Sequence, residues 1–256
     1  TPSGSAAADG AVNRTYRRRT GAGLASGLDA GRPVRAQFLT MSGKTNVISH
    51  RAPVDRRAVR RSATTSEIVD AAWELVREQG LAGLSMRDLG DRVGMRAQSL
   101  YSYFAGKDEI YDAMFRQACE QQLATMADPG GDETDDAPAR LRAMAHRFFD
   151  FCTSDPVRYQ LLFQRTIPGF VPSPESYAVA VQVLERTHAD LARAGLADQA
   201  SIDLAIALMT GLASQQLANE PGGQRWALLI DRAVDLILAP STPHPNPTTT
   251  TPRRRR

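Results

Sequence analysis

From residue 62 onward, apolar residues recur at the spacing of one helix face, and no run alternates apolar with polar at every second position. A chain with only that period cannot build a half-buried sheet, so its core has to form between helices. Ile68, Ala71, Ala72, Leu75 and Val76 fall on one face of a first helix. Thr64, Thr65 and Ser66 are its candidate N-caps, Glu67 and Asp70 suit its positive first turn, and Gly80 suits its C-terminus. Ser85 opens a short helix, with Asp88 as its capping-box-like partner. That helix buries Leu89 and Val93 and stops at Gly94. A further short helix is expected over 97–104, broken by Ala105-Gly106. The next starts near Lys107 and carries Ile110, Met114 and Phe115. After an acidic loop at 128–138, helices are expected over 141–152, 157–165, 175–194, 201–219 and 224–239, with Pro and Gly clusters between them. The predicted fold is all-α, with nine helices.

Charge is distributed unevenly. Residues 1–65 carry twelve Lys and Arg against three Asp and Glu, and residues 240–256 carry four arginines and no acid. Residues 66–239 carry fifteen bases against twenty-five acids. The net charge of +3 is therefore two basic tails around an acidic body. Such tails are either interaction segments for nucleic acid or anionic surfaces, or solvated chain without a partner. Residues 1–61 and 240–256 bury too little apolar surface to offset their ordering entropy and are expected to be disordered. Met41 is a candidate translation start. No 18-residue apolar span is present, so no membrane partner is expected. With no secretory signal and two cysteines, the expected compartment is the cytoplasm, with reduced thiols. Gly43-Lys44-Thr45 ends like a phosphate-binding loop, but Phe38 stands where the loop needs glycine.

Two short helices around a glycine turn are a candidate helix-turn-helix, in which the second helix can enter the major groove of DNA. Leu100 and Phe104, four apart, anchor its inner side and leave Gln98, Ser99, Tyr101 and Ser102 for the other faces. Bases Arg87, Arg92, Arg96 and Lys107 sit in or beside the unit, while the acids of residues 66–120 lie largely on the first and fourth helices. The run Arg56-Arg57-Ala58-Val59-Arg60-Arg61 precedes the first helix and is expected to reach along the DNA backbone or into the minor groove.

The segment Ile68-Val69-Asp70-Ala71-Ala72, Leu75, Gly80, Ser85-Met86-Arg87-Asp88-Leu89, Val93-Gly94 and Leu100-Tyr101-Ser102-Tyr103-Phe104-Ala105-Gly106-Lys107 resembles the TetR family of transcriptional regulators. The last run is similar to that family's tyrosine-x-x-phenylalanine-x-x-lysine signature. The resemblance covers residues 64–112, and between the tails at 1–61 and 240–256 it implies two parts: a DNA-binding domain at 62–112 and a ligand-binding and dimerisation domain at 113–239. It implies DNA-binding roles for Thr65, Ser85, Met86, Arg87, Arg96, Ala97, Gln98, Ser99, Tyr101, Tyr103 and Lys107. Ser85 is expected to cap its helix and meet a phosphate, and Gln98 and Ser99 to read base edges or phosphate. Tyr101 and Lys107 are expected to reach the DNA backbone. Three positions depart from the pattern. Arg96 stands where Ser or Thr is common, which loses a cap worth about 1 kcal/mol. Gln98 replaces a frequent glycine. Gly90 replaces a frequent alanine, a cost of roughly 1 kcal/mol inside a helix.

The implied function is a transcriptional repressor that leaves a pseudo-palindromic operator when a small molecule binds. The alternative is a ligand-independent regulator with a filled C-terminal core. Phe148, Phe151, Cys152, Leu162, Phe163, Tyr177 and Met209 are candidate pocket residues; His146, His188, Arg158, Arg165 and Gln215 are candidate polar anchors. Residues 201–219 and 224–239 carry more apolar surface than one core needs, which points to a homodimer through the last two helices. No nucleophile elbow, metal cluster, complete phosphate loop or dinucleotide-binding glycine pattern is present, so no enzyme activity, cofactor or metal is expected.

Overall fold

The computed structural model describes residues 55–126 and 136–239, all within one unit of the chain, Pro53–Arg256. Residues 1–54 of the tail expected at 1–61, all of the tail expected at 240–256 and most of the acidic loop lie outside the described residues; residues 56–61, expected to be disordered, are instead the opening turns of a helix. Among the described residues there are nine α-helices and no strand. They are α1 (Arg56–Gln79), α2 (Met86–Arg92), α3 (Ala97–Leu100), α4 (Lys107–Met126), α5 (Ala137–Ser154), α6 (Pro156–Phe163), α7 (Pro174–Arg193), α8 (Gln199–Asn219) and α9 (Ile230–Leu238).

Helix α1 starts earlier than Thr64–Ser66. Its cap is Asp55, whose carboxylate accepts from the backbone N–H of Arg57 at 2.9 Å and of Ala58 at 3.3 Å. The arginine run is therefore the opening of α1 and not an arm ahead of it. Thr65 and Ser66 are tolerated inside the helix because their hydroxyls donate to the carbonyls of Arg61 and Ser62, one turn back. The expected inner face is buried, and Val69 and Trp73 are buried with it. Gly80 ends α1 at φ 77°, the left-handed conformation that glycine adopts without strain.

Ser85 caps α2: its Oγ accepts from the Asp88 N–H at 3.1 Å and donates to the Asp88 carboxylate at 2.7 Å. Arg96 makes no capping bond at the start of α3. Helix α3 stops at Leu100 and does not run on to Phe104. The Ser102 hydroxyl donates to the Ser99 carbonyl, the Tyr103 N–H bonds to Leu100, and Arg61 holds the Ser102 carbonyl at 2.7 Å, so the chain tightens into a turn. Likewise 224–239 is not one helix. A single 3₁₀ turn at Ala227–Leu229 leads into a shorter α9.

Gly90 has a packing reason that composition hides. A Cβ there would stand 2.7 Å from the Met95 carbonyl oxygen and 3.2 Å from the Ala97 nitrogen. The turn between α2 and α3 closes over this bare backbone. Gly90→Ala gains about 1 kcal/mol of helix propensity but overpacks a backbone contact at a cost of about 1–3 kcal/mol. The expected net result is a melting temperature lower by about 2–4 °C, measured by circular dichroism.

Two apolar clusters form. One joins α1–α4 to Leu161 of α6 and to Val179 and Val183 of α7. The other joins α5, α6, α8 and α9, with Leu191 and Leu196. Helix α4 runs across residue 112 and packs on both the helix-turn-helix and the C-terminal helices. Arg77 of α1 is tied to Asp155, the cap of α6, by Nε at 3.0 Å and Nη2 at 2.7 Å. Asp112 of α4 accepts from the Ser173 N–H, the Ser173 hydroxyl and the Ser176 hydroxyl at 2.6–2.8 Å, which fixes α4 to the start of α7.

Candidate nucleic-acid interface and ligand cavity

Helix α2, a left-handed turn at Gly94 (φ 66°), and α3 form a helix-turn-helix on α1. Buried Leu89, Leu100 and Phe104 hold its inner side. Arg87, Arg96, Gln98, Ser99, Tyr101 and Lys107 are exposed, and Tyr101 keeps 53% of its surface open to solvent. Thr65, Ser85, Met86, Ala97 and Tyr103 are half-buried. Met86 and Tyr103 pack against the core, and the Arg61 guanidinium lies 4.9 Å from the Tyr103 ring centre. Arg61 thus braces the turn that presents Tyr101. Lys107 opens α4, whose N-terminus carries the positive end of the helix dipole.

Arg92, one of the bases beside the motif, is engaged elsewhere. It makes a two-point bond to the Glu78 carboxylate of α1 at 2.8 and 2.5 Å and a longer one to Glu74 at 3.5 Å. The bond from Arg92 holds the Glu78 carboxyl below the usual carboxylate range.

The C-terminal helices enclose a cavity of about 260 Å³. Of the candidate pocket residues, Phe148, Leu162, Phe163 and Met209 line it. Phe151, Cys152 and Tyr177 do not. Phe151 and Cys152 are buried in the second cluster, with the Arg158 guanidinium 3.9 Å from the Phe151 ring centre. Helical spacing could not separate these from the true lining, because adjacent positions of α5 face opposite neighbours. None of His146, His188, Arg158, Arg165 and Gln215 is among the lining. His146 bonds Asp231 at 2.8 Å, and Arg158 bonds the Phe151 carbonyl and Ser154. The polar lining comes instead from Gln122, Thr125, Arg147, Thr187, Asp190 and Thr210. Sequence reading missed Phe115, Cys119, Gln122 and Met126 of α4, although they fall within the ligand-binding domain expected at 113–239. Their shared helix face was the available signal. Burial pushes the Cys119 and Cys152 thiols up to about 12, Cys119 with added repulsion from Glu120, so both stay protonated at neutral pH. Among the described residues no group of His, Cys, Asp and Glu is placed to hold a metal, and no helix is long and apolar enough to cross a membrane.

A capped short helix, a glycine turn and a second short helix with exposed polar side chains define a helix-turn-helix DNA-binding protein. The comparisons identify which kind. Residues 68–114 match the family model described as bacterial regulatory proteins, tetR family. It is 27% identical over 199 residues to an HTH-type transcriptional repressor of Mycobacterium tuberculosis, covering 73% of each chain. It is 30% identical over 129 residues to the HTH-type transcriptional activator FasR of Mycolicibacterium smegmatis, covering 50% of this chain and 56% of FasR. Among solved structures, the regulatory protein SCO4313 superposes with a TM-score of 0.60 at 25% identity, over 72% of this chain and 99% of that one. A tetR-family regulator from Streptomyces coelicolor shares the fold at 19% identity, with a TM-score of 0.55 over 69% of this chain and 79% of that one. The protein is a DNA-binding transcriptional regulator.

Proposed function

We propose that this regulator acts as a cytoplasmic repressor without enzymatic activity. It binds a pseudo-palindromic operator as a two-fold dimer and leaves it when a small molecule fills the C-terminal cavity. The observation that carries this reading is the course of α4. Its first residue, Lys107, is exposed and follows the end of α3 by seven positions, and the helix beyond it supplies Phe115, Cys119, Gln122 and Met126 to the cavity wall. Lys107 and Gln122 lie about 22 Å apart along one rigid helix. A ligand that displaces the cavity end moves the DNA end, and in a two-fold dimer this changes the spacing of the two α3 helices. The cavity also favours a ligand-responsive regulator over one with a filled core.

The reading divides the chain into a DNA-binding part ending within α4 and an effector part beyond it. Gln98 and Ser99 face base edges; Arg87, Arg96, Tyr101 and Lys107 face the backbone. Helices α8 and α9 form the dimer face.

The test is operator selection from random DNA, followed by a compound screen for release, read by fluorescence anisotropy. Met209→Trp fills the cavity from α8. The variant is expected to hold the selected operator with wild-type affinity and to lose release by compounds that free the wild-type protein. Release from the variant at wild-type concentrations counts against the cavity as the effector site.

A further inference from the structure

The first two turns of α1 run out past the apolar core. Arg56, Arg57, Arg60 and Arg61 are all exposed there, Thr64 and Thr65 are half-buried, and burial starts at Ile68. At about 100° per residue the four arginines fall within an arc of about 140°, with Ala58 and Val59 outside it. That arc continues the inner side of the helix. Arg61, Ile68 and Leu75 stand seven apart, and Arg57 and Arg60 stand eleven before Ile68 and Ala71. The stripe that packs on the helix-turn-helix therefore turns from apolar to cationic as it leaves the core. Arg61 fixes where it points. Its Nη2 donates to the Ser102 carbonyl at 2.7 Å and its guanidinium lies 4.9 Å from the Tyr103 ring centre, so the run stands beside the turn that presents Tyr101.

Arg56, Arg57 and Arg60 make no ion pair among the described residues. The carboxylate at the start of the helix, Asp55, accepts from the backbone N–H groups of Arg57 and Ala58, and the next acid along α1 is Glu67. Arg92 is the contrast, held by Glu78. Cations also oppose the positive end of the helix dipole, and the first turn carries no acid to offset them. A charge pattern kept against local preference marks a functional surface, and this one suits a polyanion. The shape of the run decides which part of DNA it can meet. A helix is about 10–12 Å across and the minor groove about 6 Å wide, so α1 does not enter that groove as an extended arm does. The phosphates of the backbone are open to it. From Arg61 to Arg56 the helix advances about 7.5 Å, roughly two base-pair steps.

We propose that the opening of α1 is a phosphate clamp on DNA. Arg56, Arg57 and Arg60 hold the backbone next to the stretch met by Tyr101, and Arg61 positions the turn after α3 for the same strand. The clamp adds affinity without reading sequence, because phosphate contacts carry none. It rests on the reading that α3 and the turn after it face DNA, and it extends the interface beyond the helix-turn-helix.

The test uses the full chain with Arg56→Gln, Arg57→Gln and Arg60→Gln combined, leaving Arg61 in place. Anisotropy is read on a selected operator and on random duplex across a salt series, with a thermal melt alongside. The slope of log affinity against log salt is expected to fall by about 0.9 for each arginine in contact, so by about five when both protomers of a dimer engage all three. Operator and random duplex are expected to weaken by the same factor, and the melting temperature to be retained. Replacing the three arginines by lysine is expected to keep the wild-type slope. An unchanged slope in the folded glutamine variant overturns the proposal. So does a loss confined to operators with A·T-rich flanks, which is the mark of an arm in the minor groove. The variant lacking the Tyr101 and Lys107 side chains, run in the same series, separates the two assignments. If it binds as wild type while the glutamine variant loses slope, the clamp stands and the contacts at the turn fall. If it loses binding while the glutamine variant keeps its slope, the clamp alone is overturned.

Discussion

Replacing Tyr101 and Lys107 together by alanine is expected to weaken operator binding by about a hundredfold or more and to leave the fold intact. Each side chain is proposed to make one hydrogen bond to a phosphate oxygen. Bonds to charged groups contribute about 1.5–3 kcal/mol each, so losing two reaches that factor. Loss of the Lys107 charge alone lowers the slope of log affinity against log salt by about one. Neither change opens the core. Tyr101 is 53% exposed at the end of α3, and the inner side of the unit is held by Leu89, Leu100 and Phe104. The check is anisotropy on a selected operator across a salt series, alongside a thermal melt. Wild-type retention by the folded double variant refutes the assignment of these two contacts.

A glutamate on the apolar face of the last two helices is expected to turn a dimer into a monomer. Leu204 of α8 is 68% exposed and Leu236 of α9 is 63% exposed. Ala207, Gly211, Gln215 and Ala218 continue the exposed stripe of α8 from Leu204. Gly211 has no atom of a neighbouring element within 4 Å of where a Cβ would stand, so close approach of a second backbone is open there. Large apolar side chains left this open on helix faces mark an association surface. In a two-fold dimer each substitution occurs twice, so Leu204→Glu with Leu236→Glu buries four carboxylates without partners, a cost of several kcal/mol. Sedimentation velocity is expected to show a monomer, and the operator affinity to fall by about a hundredfold or more as two-site binding becomes one-site binding. A dimer that persists in the double variant places the interface elsewhere.

The helix-turn-helix was legible because its parts are local. Ser85 caps within three residues, Gly94 turns at a single φ, and the buried Leu100 and Phe104 stand four apart. Where reading from sequence failed, a distant partner had decided the outcome. The start of α1 was misplaced because Thr65 and Ser66 cap well in isolation, but here bond one turn back inside a helix already begun by Asp55. The end of α3 was misplaced because Arg61, forty-one positions away, holds the Ser102 carbonyl. Arg92 looked available for DNA until Glu78 of α1 came beside it. The cavity lining was half-read, since Phe148 and Phe151 share a helix but only Phe148 faces the hollow.

By itself the sequence determined the all-α class, the order of the elements, the helix-turn-helix and the resemblance of that unit to the tetR family. These follow from caps, breakers and the helix period, which act over a few residues. Only the tertiary structure decided which arginines remain open, why a Cβ at Gly90 is costly, and which side chains surround the cavity. Those outcomes depend on which helix faces meet. A 3.6-residue period fixes the buried stripe of each helix but leaves open which stripe it packs against.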